Sequence, residues 1–190
     1  MANKYKIEKG SLLPFFFPFL RKFLLSLLFG GMFFSTAYAQ NLSKRYVASN
    51  QNEGVLYFVF PQKGYQDQNA SNFIYDLTYL DSKDSMTLNF TFKSKESLVI
   101  DSLAITSETV NLKEACQKIY VEFAKSKWIY RNTSKVLYAD IRRFFMSKEA
   151  PIIQVYCKDG SVVNFKIKQG KWGKEAPINL LILDLMEANK

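Results

Sequence analysis

Strict two-residue alternation constrains this chain more than any other feature of it. In "FIYDLTYL" (73–80), Phe73, Tyr75, Leu77 and Tyr79 fall on one face, with Ile74, Asp76, Thr78 and Leu80 on the other. In "MTLNFTFK" (86–93), Met86, Leu88, Phe90 and Phe92 alternate with Thr87, Asn89, Thr91 and Lys93. A period of two sorts side chains across a strand but scatters them around a helix, so both stretches must be half-buried strands. The turn-forming run "DSKDS" between them makes the connection a hairpin. Upstream, the β-branched and aromatic run "VLYFVF" (55–60), closed by Pro61, is a buried strand, and "SLVIDSLAITS" (97–107) a further one. The first half is an antiparallel meander.

The second half mixes periods. Asn111 and Glu114 have capping-box spacing, and Leu112, Cys116, Ile119 and Phe123 share a helical stripe. "KIYVEF" (118–123) also alternates as a strand, so the reading is a short helix over 112–118 passing into a strand. "WIYRN" (128–132) is a strand. Leu137, Ile141, Phe144 and Phe145 predict an amphipathic helix over 138–146 that exposes Arg142 and Arg143.

"PIIQVYCKDGSVVNFKIK" reads as a hairpin with two candidate registers. A two-residue turn at Asp159-Gly160 pairs Gln154 with Phe165 and mixes polar with apolar groups. A three-residue loop, Lys158-Asp159-Gly160, gathers Ile153, Val155, Val163, Phe165 and Ile167 on one face. Since a one-residue slip flips every side chain, the sorted register is expected, with Gly160 left-handed in a bulge. Its turn and second strand echo the earlier one. "KDSMTLNFTFK" (83–93) and "KDGSVVNFKIK" (158–168) match at Lys, Asp, Asn, Phe and Lys, either as a duplicated unit or as two hairpins obeying one turn chemistry.

Pro177 opens a C-terminal helix (177–188) whose stripe of Ile178, Leu181, Ile182, Leu185 and Met186 must be buried. The expected fold is therefore α+β. It is an antiparallel β-rich single domain (55–190), barrel- or sandwich-like, with a C-terminal amphipathic helix packed on it. This order of parts resembles small helix-capped barrels such as the pleckstrin-homology-like folds, which implies nothing about a ligand.

The N-terminal region decides where such a domain would work. Arg21-Lys22 precedes the apolar run Phe23–Phe34, which is too short to span a bilayer and ends in Ala37-Tyr38-Ala39. These parts predict a cleaved secretory signal over 1–39, with an uncleaved anchor as the alternative. Residues 1–19 add nothing to it and read as an extension upstream of a start at Leu20. Cleavage after Ala39 leaves Gln40 first, with no lipid-accepting Cys, followed by a flexible lead-in over 40–54. A mature N-terminal Gln after Ala-x-Ala resembles exported proteins of Bacteroidota. The expected location is periplasmic or secreted, with no membrane span after processing.

Histidine is absent from the chain. That excludes a Ser-His-Asp triad, a Cys-His dyad and His-ligated zinc, and two cysteines cannot build a thiolate cage. No cofactor or metal is expected. Of the formal charge of +9, residues 1–39 carry +4 (Lys4, Lys6, Lys9, Arg21 and Lys22 against Glu8), which leaves +5 for the rest. With no run of five or six like charges, nucleic acid is not an expected partner. Envelope polymer, glycan or protein remain as partner classes.

Candidate sites are few. Asp76, Asp81, Asp84 and Asp101 lie near strand ends, where a glycosidase-like acid pair could sit. Trp128, Tyr130, Arg131, Arg142, Arg143, Lys171 and Trp172 mix rings and cations, and on one face they would stack on a sugar or grip an anion. The plainer reading makes the rings packing and the cations solvated. Cys116 and Cys157 are either a disulfide or two buried thiols. Asp84-Ser85-Met86 and Asp101-Ser102-Leu103 resemble a short periplasmic O-glycosylation acceptor, with Ser85 the better placed. The expected function is an exported, non-catalytic binding or envelope-associated module. A histidine-free hydrolase using a carboxylate pair and a structural subunit of an envelope complex are the alternatives.

Overall fold

The computed structural model describes residues 42–62 and 64–189. The segment expected to direct export, with its expected cleavage point, lies outside them. In chain order come β1 (Tyr46–Gln51), β2 (Gly54–Val59), β3 (Tyr65–Gln66), β4 (Asn72–Leu80) and β5 (Ser85–Ser94). Next are β6 (Ile100–Thr106), β7 (Asn111–Ala115), β8 (Gln117–Ala124) and β9 (Lys127–Leu137), which runs directly into α1 (Tyr138–Met146). The hairpin of β10 (Ile152–Cys157) and β11 (Val162–Lys166) leads to α2 (Gln169–Ala188).

The alternating stretches pair as expected. Tyr79 of β4 lies opposite Met86 of β5, and Ile74 opposite Thr91. Phe73, Tyr75, Leu77, Tyr79, Met86, Leu88, Phe90 and Phe92 are all buried. One mostly antiparallel sheet holds the strands in the order β7-β6-β10-β11-β3-β4-β5-β9-β8, with β2 and β1 branching from β4. Its two end strands, β7 and β8, are successive pieces of chain separated only by Cys116. Ser134 of β9 donates its Oγ hydrogen to the Ala115 carbonyl at 2.8 Å, so the sheet curls until it is nearly a barrel. Among the described residues no helix is long and apolar enough to cross a membrane.

The core is largely aromatic. Phe73 packs on Phe90 (5.2 Å between centroids) and Phe165 (5.0 Å), and Phe92 on Tyr130 and Phe165 (5.3 Å each). Phe90 and Phe165, equivalent in the two echoing segments, meet in this cluster. α1 spans 138–146 as the helical spacing predicts, with Tyr138, Ile141, Phe144 and Phe145 buried.

Three local expectations are overturned. Residues 112–118 are extended, not helical, because the β6 edge needs partners for its backbone groups and takes them from β7, Ile105 opposite Leu112. The supposed helical stripe does not share a buried face, since Ile119 and Phe123 are 48% and 59% exposed. The lead-in over 40–54 contains β1, whose polar residues suit an edge strand paired only with β2. α2 starts at Gln169, so Pro177 lies inside it and the stripe is rotated from the expected one. Trp172, Ala176, Ile182, Leu183 and Met186 are buried, whereas Leu181 is 41% exposed and Leu185 is also exposed. Leu181→Asp would therefore bury no charge.

The β10–β11 hairpin takes the sorted register, with Ile153 opposite Phe165 and Val155 opposite Val163. Cys157 and Ser161 close a three-residue loop, and Gly160 has φ +85°. A Cβ at Gly160 would meet nothing within 4 Å, so a substitution there acts through backbone conformation alone. Gly160→Val is expected to cost about 1–3 kcal/mol and Gly160→Asn much less, read as thermal melting midpoints. Asp159→Ala should cost less than Gly160→Val, since it removes only exposed hydrogen bonds to Ser161. Equal damage from Gly160→Val and Asp159→Ala would contradict this register.

Candidate functional site

The β3–β4 turn, the end of β5 with its following loop, and the β10–β11 hairpin enclose a groove of about 1190 Å³. Strand alternation explains its chemistry. Ile153, Val155 and Phe165 point into the core, so Ile152, Gln154, Asn164 and Lys166 point outward into the groove. Gln154 donates to the Asn164 side chain at 2.8 Å, and Gln66 to that of Asn72 at 3.1 Å. These amide pairs are cross-strand neighbours on the sheet.

Lys93, Lys95, Lys127 and Lys166 line the groove against the acids Asp67 and Glu96. Asp67 is occupied locally, because its Oδ1 accepts the N–H groups of Asn69 (2.9 Å) and Ser71 (2.7 Å). The same turn holds Ala70 at φ +57°, a conformation a non-glycine residue takes at some cost. Tyr130 fixes the opposite wall from the core. Its hydroxyl donates to the Glu96 carbonyl at 3.0 Å and accepts the Leu98 N–H at 2.6 Å, tying down the loop after β5.

The ring-and-cation set from the sequence is dispersed. Trp172 and Tyr130 are buried. Trp128 is half-buried on the β8–β9 hairpin and packs on Phe123 at 5.0 Å. Arg131 pairs with Asp76 at 2.8 Å and donates to Thr91. On α1, Arg142 reaches Asp184 (2.6 Å) and Glu187 (3.3 Å) of α2, which raises its pKa chiefly through the hydrogen bond to Asp184. Arg143 pairs with Asp140, and Lys171 is exposed on α2. None of the seven lines the groove. The residues that do are outward positions of separate hairpins, and no local pattern brings them together in sequence.

None of the four carboxylates near strand ends lines the groove. Asp76 holds Arg131 and accepts from Asn89 (2.8 Å), Asp81 accepts the Val55 N–H (3.0 Å), and Asp101 accepts from Ser102 (3.1 Å). Asp84 contributes its carbonyl to the start of α1. Both cysteines are free thiols. The Cys116 backbone N–H donates to the Asp101 carbonyl on one side of β6, while Cys157 lies opposite Ile100 on the other. Two strand spacings, roughly 9–10 Å, separate them, beyond the reach of a disulfide. Burial pushes the Cys116 thiol up to about 11, against which the Ser134 hydroxyl works weakly. Ser85 is half-buried at the start of β5, and Ser102 is buried.

β8 forms a second surface. Among the described residues it pairs with β9 alone, and Ile119, Tyr120, Val121 and Phe123 are all exposed along it. Compared with protein-family models, curated proteins and solved structures, the chain finds no match to any of them.

Proposed function

We propose that the chain from Gln40 onward is an exported, non-catalytic module of the cell envelope that binds a hydroxyl-rich, acidic polymer in the groove. The observation that carries this reading is the groove's lining. Small-molecule pockets are mostly apolar with a few polar anchors. This one presents the amides of Gln66, Gln68, Asn69, Gln154 and Asn164 beside four lysines and two acids. Amides donate and accept at once, as sugar hydroxyls require, and the lysine excess favours carboxylated or phosphorylated chains. The engagement of Asp67 in its own turn speaks for binding rather than acid–base work.

Affinity electrophoresis tests the reading, with alginate as the acidic probe and dextran as the neutral one. Alginate should retard the protein, dextran should not, and added salt should weaken the effect. Lys93→Glu with Lys166→Glu should abolish most of the retardation while leaving the melting temperature unchanged. Equal mobility in both gels would overturn the proposal. Release of reducing ends from alginate would replace it with the hydrolase alternative, in which Asp67 and Glu96 are the carboxylates facing the groove.

A further inference from the structure

The β8–β9 hairpin displays apolar side chains in a pattern that no packing among the described residues explains. Along β8, Ile119, Tyr120, Val121 and Phe123 are 48%, 43%, 40% and 59% exposed. The register with β9 shows that they do not share a face. Tyr120 lies opposite Arg131, an outward residue, whereas Val121 lies opposite Tyr130 and Phe123 opposite Trp128, on the core side. A protein partner docking on a sheet would cover one face only. A medium that surrounds the strand is needed to cover both.

The free edge is unsuited to a further strand. A register shift between Lys118 and Tyr120 marks a bulge, and Lys118 and Glu122 place charges along the edge. Bulges and edge charges are the devices by which proteins discourage strand addition.

Lysines flank the apolar run. Lys118 stands before it, and Lys125 and Lys127 close the hairpin, all three exposed, with Glu122 the one acid between them. The turn is rigid. Ala124 pairs with Lys127 around Lys125 and Ser126, whose φ values of +51° and +59° are those of a tight two-residue hairpin. The Phe123 and Trp128 rings pack at a tilt across it, 5.0 Å between centroids, which sets an aromatic pair just behind the lysines.

From this arrangement we infer that the β8–β9 hairpin is a membrane-surface anchor. It lies edge-on in the headgroup layer of an anionic bilayer, with Ile119, Tyr120, Val121, Phe123 and Trp128 at the acyl boundary, Glu122 in the hydrated headgroups, and Lys118 and Lys125 on lipid phosphates. An interfacial lipid layer wets both faces of a hairpin, accepts Trp and Tyr, keeps edge backbone groups hydrated and complements the lysines. This rests on and deepens the envelope association proposed above: Lys127 belongs to both the hairpin and the groove rim, whereas the groove positions tested there, Lys93 and Lys166, lie on β5 and β11.

Co-sedimentation of the protein, from Gln40 on, with phosphatidylglycerol-containing vesicles tests the anchor, with pure phosphatidylcholine vesicles for comparison. Anionic vesicles should pellet the protein and shift the Trp emission to the blue. Trp128→Phe should remove that shift, since Trp172 is already buried. Lys118→Glu and Lys125→Glu should each weaken partitioning by about fivefold. Phe123→Ser should weaken it by about tenfold or more. Lys118, Lys125 and Phe123 are all exposed, so melting temperatures should not change. Lys93→Glu with Lys166→Glu should retain vesicle binding, which separates a failure of the groove from a failure of the anchor. Equal binding to both vesicle types would overturn the inference. So would a Phe123-dependent dimer in sedimentation equilibrium without vesicle binding, which would assign β8 to a second copy of the chain.

Discussion

Trp172→Ala is expected to be among the most damaging single truncations in the protein, at a cost of about 3–5 kcal/mol. The indole is 1% exposed near the start of α2 and seats the helix on the rest of the fold. It packs on Phe144 (5.0 Å), Phe145 (6.0 Å) and Tyr65 (6.4 Å), and its Nε1–H donates to the Ser147 carbonyl at 2.8 Å. Truncation opens a cavity between α1, α2 and β3 and strands that carbonyl. Against a typical total of about 5–15 kcal/mol, the loss would remove much of the stability. Urea and thermal denaturation should show a melting temperature lower by roughly 10 °C or more. Trp172→Phe keeps a ring in the site and loses the hydrogen bond, so it should fall between the two. A Trp172→Ala protein that melts with the parent would mean that α2 is not seated here.

Glu175→Ala is expected to cost a similar amount, about 3–5 kcal/mol, for an electrostatic reason. Its Oε1 accepts from Arg45 at 2.7 Å, from the Gln62 N–H at 2.6 Å and from Asn179 at 3.0 Å. Both charged side chains are about one-tenth exposed. Removing the carboxylate leaves the guanidinium buried without a counter-charge and the Gln62 N–H without an acceptor, while Asn179 Nδ2 keeps only its bond to the Glu175 carbonyl at 2.9 Å. Arg45→Met combined with Glu175→Leu removes both charges and should recover part of the loss. The recovery should be incomplete, because the Gln62 N–H stays unpaired. A double-mutant cycle reads the coupling directly, and additive effects of the two single changes would show that the pair does not act as a unit.

What is legible in this sequence is what short-range physics sets. The faces of β4 and β5 follow from a period of two, and α1 from Leu137, Ile141, Phe144 and Phe145 at helical spacing. The Gly160 loop follows because only one register sorts Ile153, Val155, Val163 and Phe165 to one side. Each of these rests on residues within a few positions of one another, where sterics and burial act without help from the rest of the chain.

Strand pairing and tertiary packing decided the remainder, in most cases through a partner distant in sequence. Asn111 and Glu114 are spaced to cap a helix, but the unpaired edge of β6 draws this segment into a strand, which outweighs a weak local preference. Glu175 and Asn179 look like the solvent face of a helix. They are buried because Arg45, 130 residues earlier, supplies the charge that makes burial tolerable, and that turns Leu181 and Leu185 outward. The cysteines stay apart because strand order puts β6 between them. The groove exists only where three connections meet, so its amides and lysines carry no mark of a site along the chain. Strand alternation determines which side chains face outward. Which outward side chains become neighbours depends on the closure of the sheet, a long-range pairing that no single segment encodes.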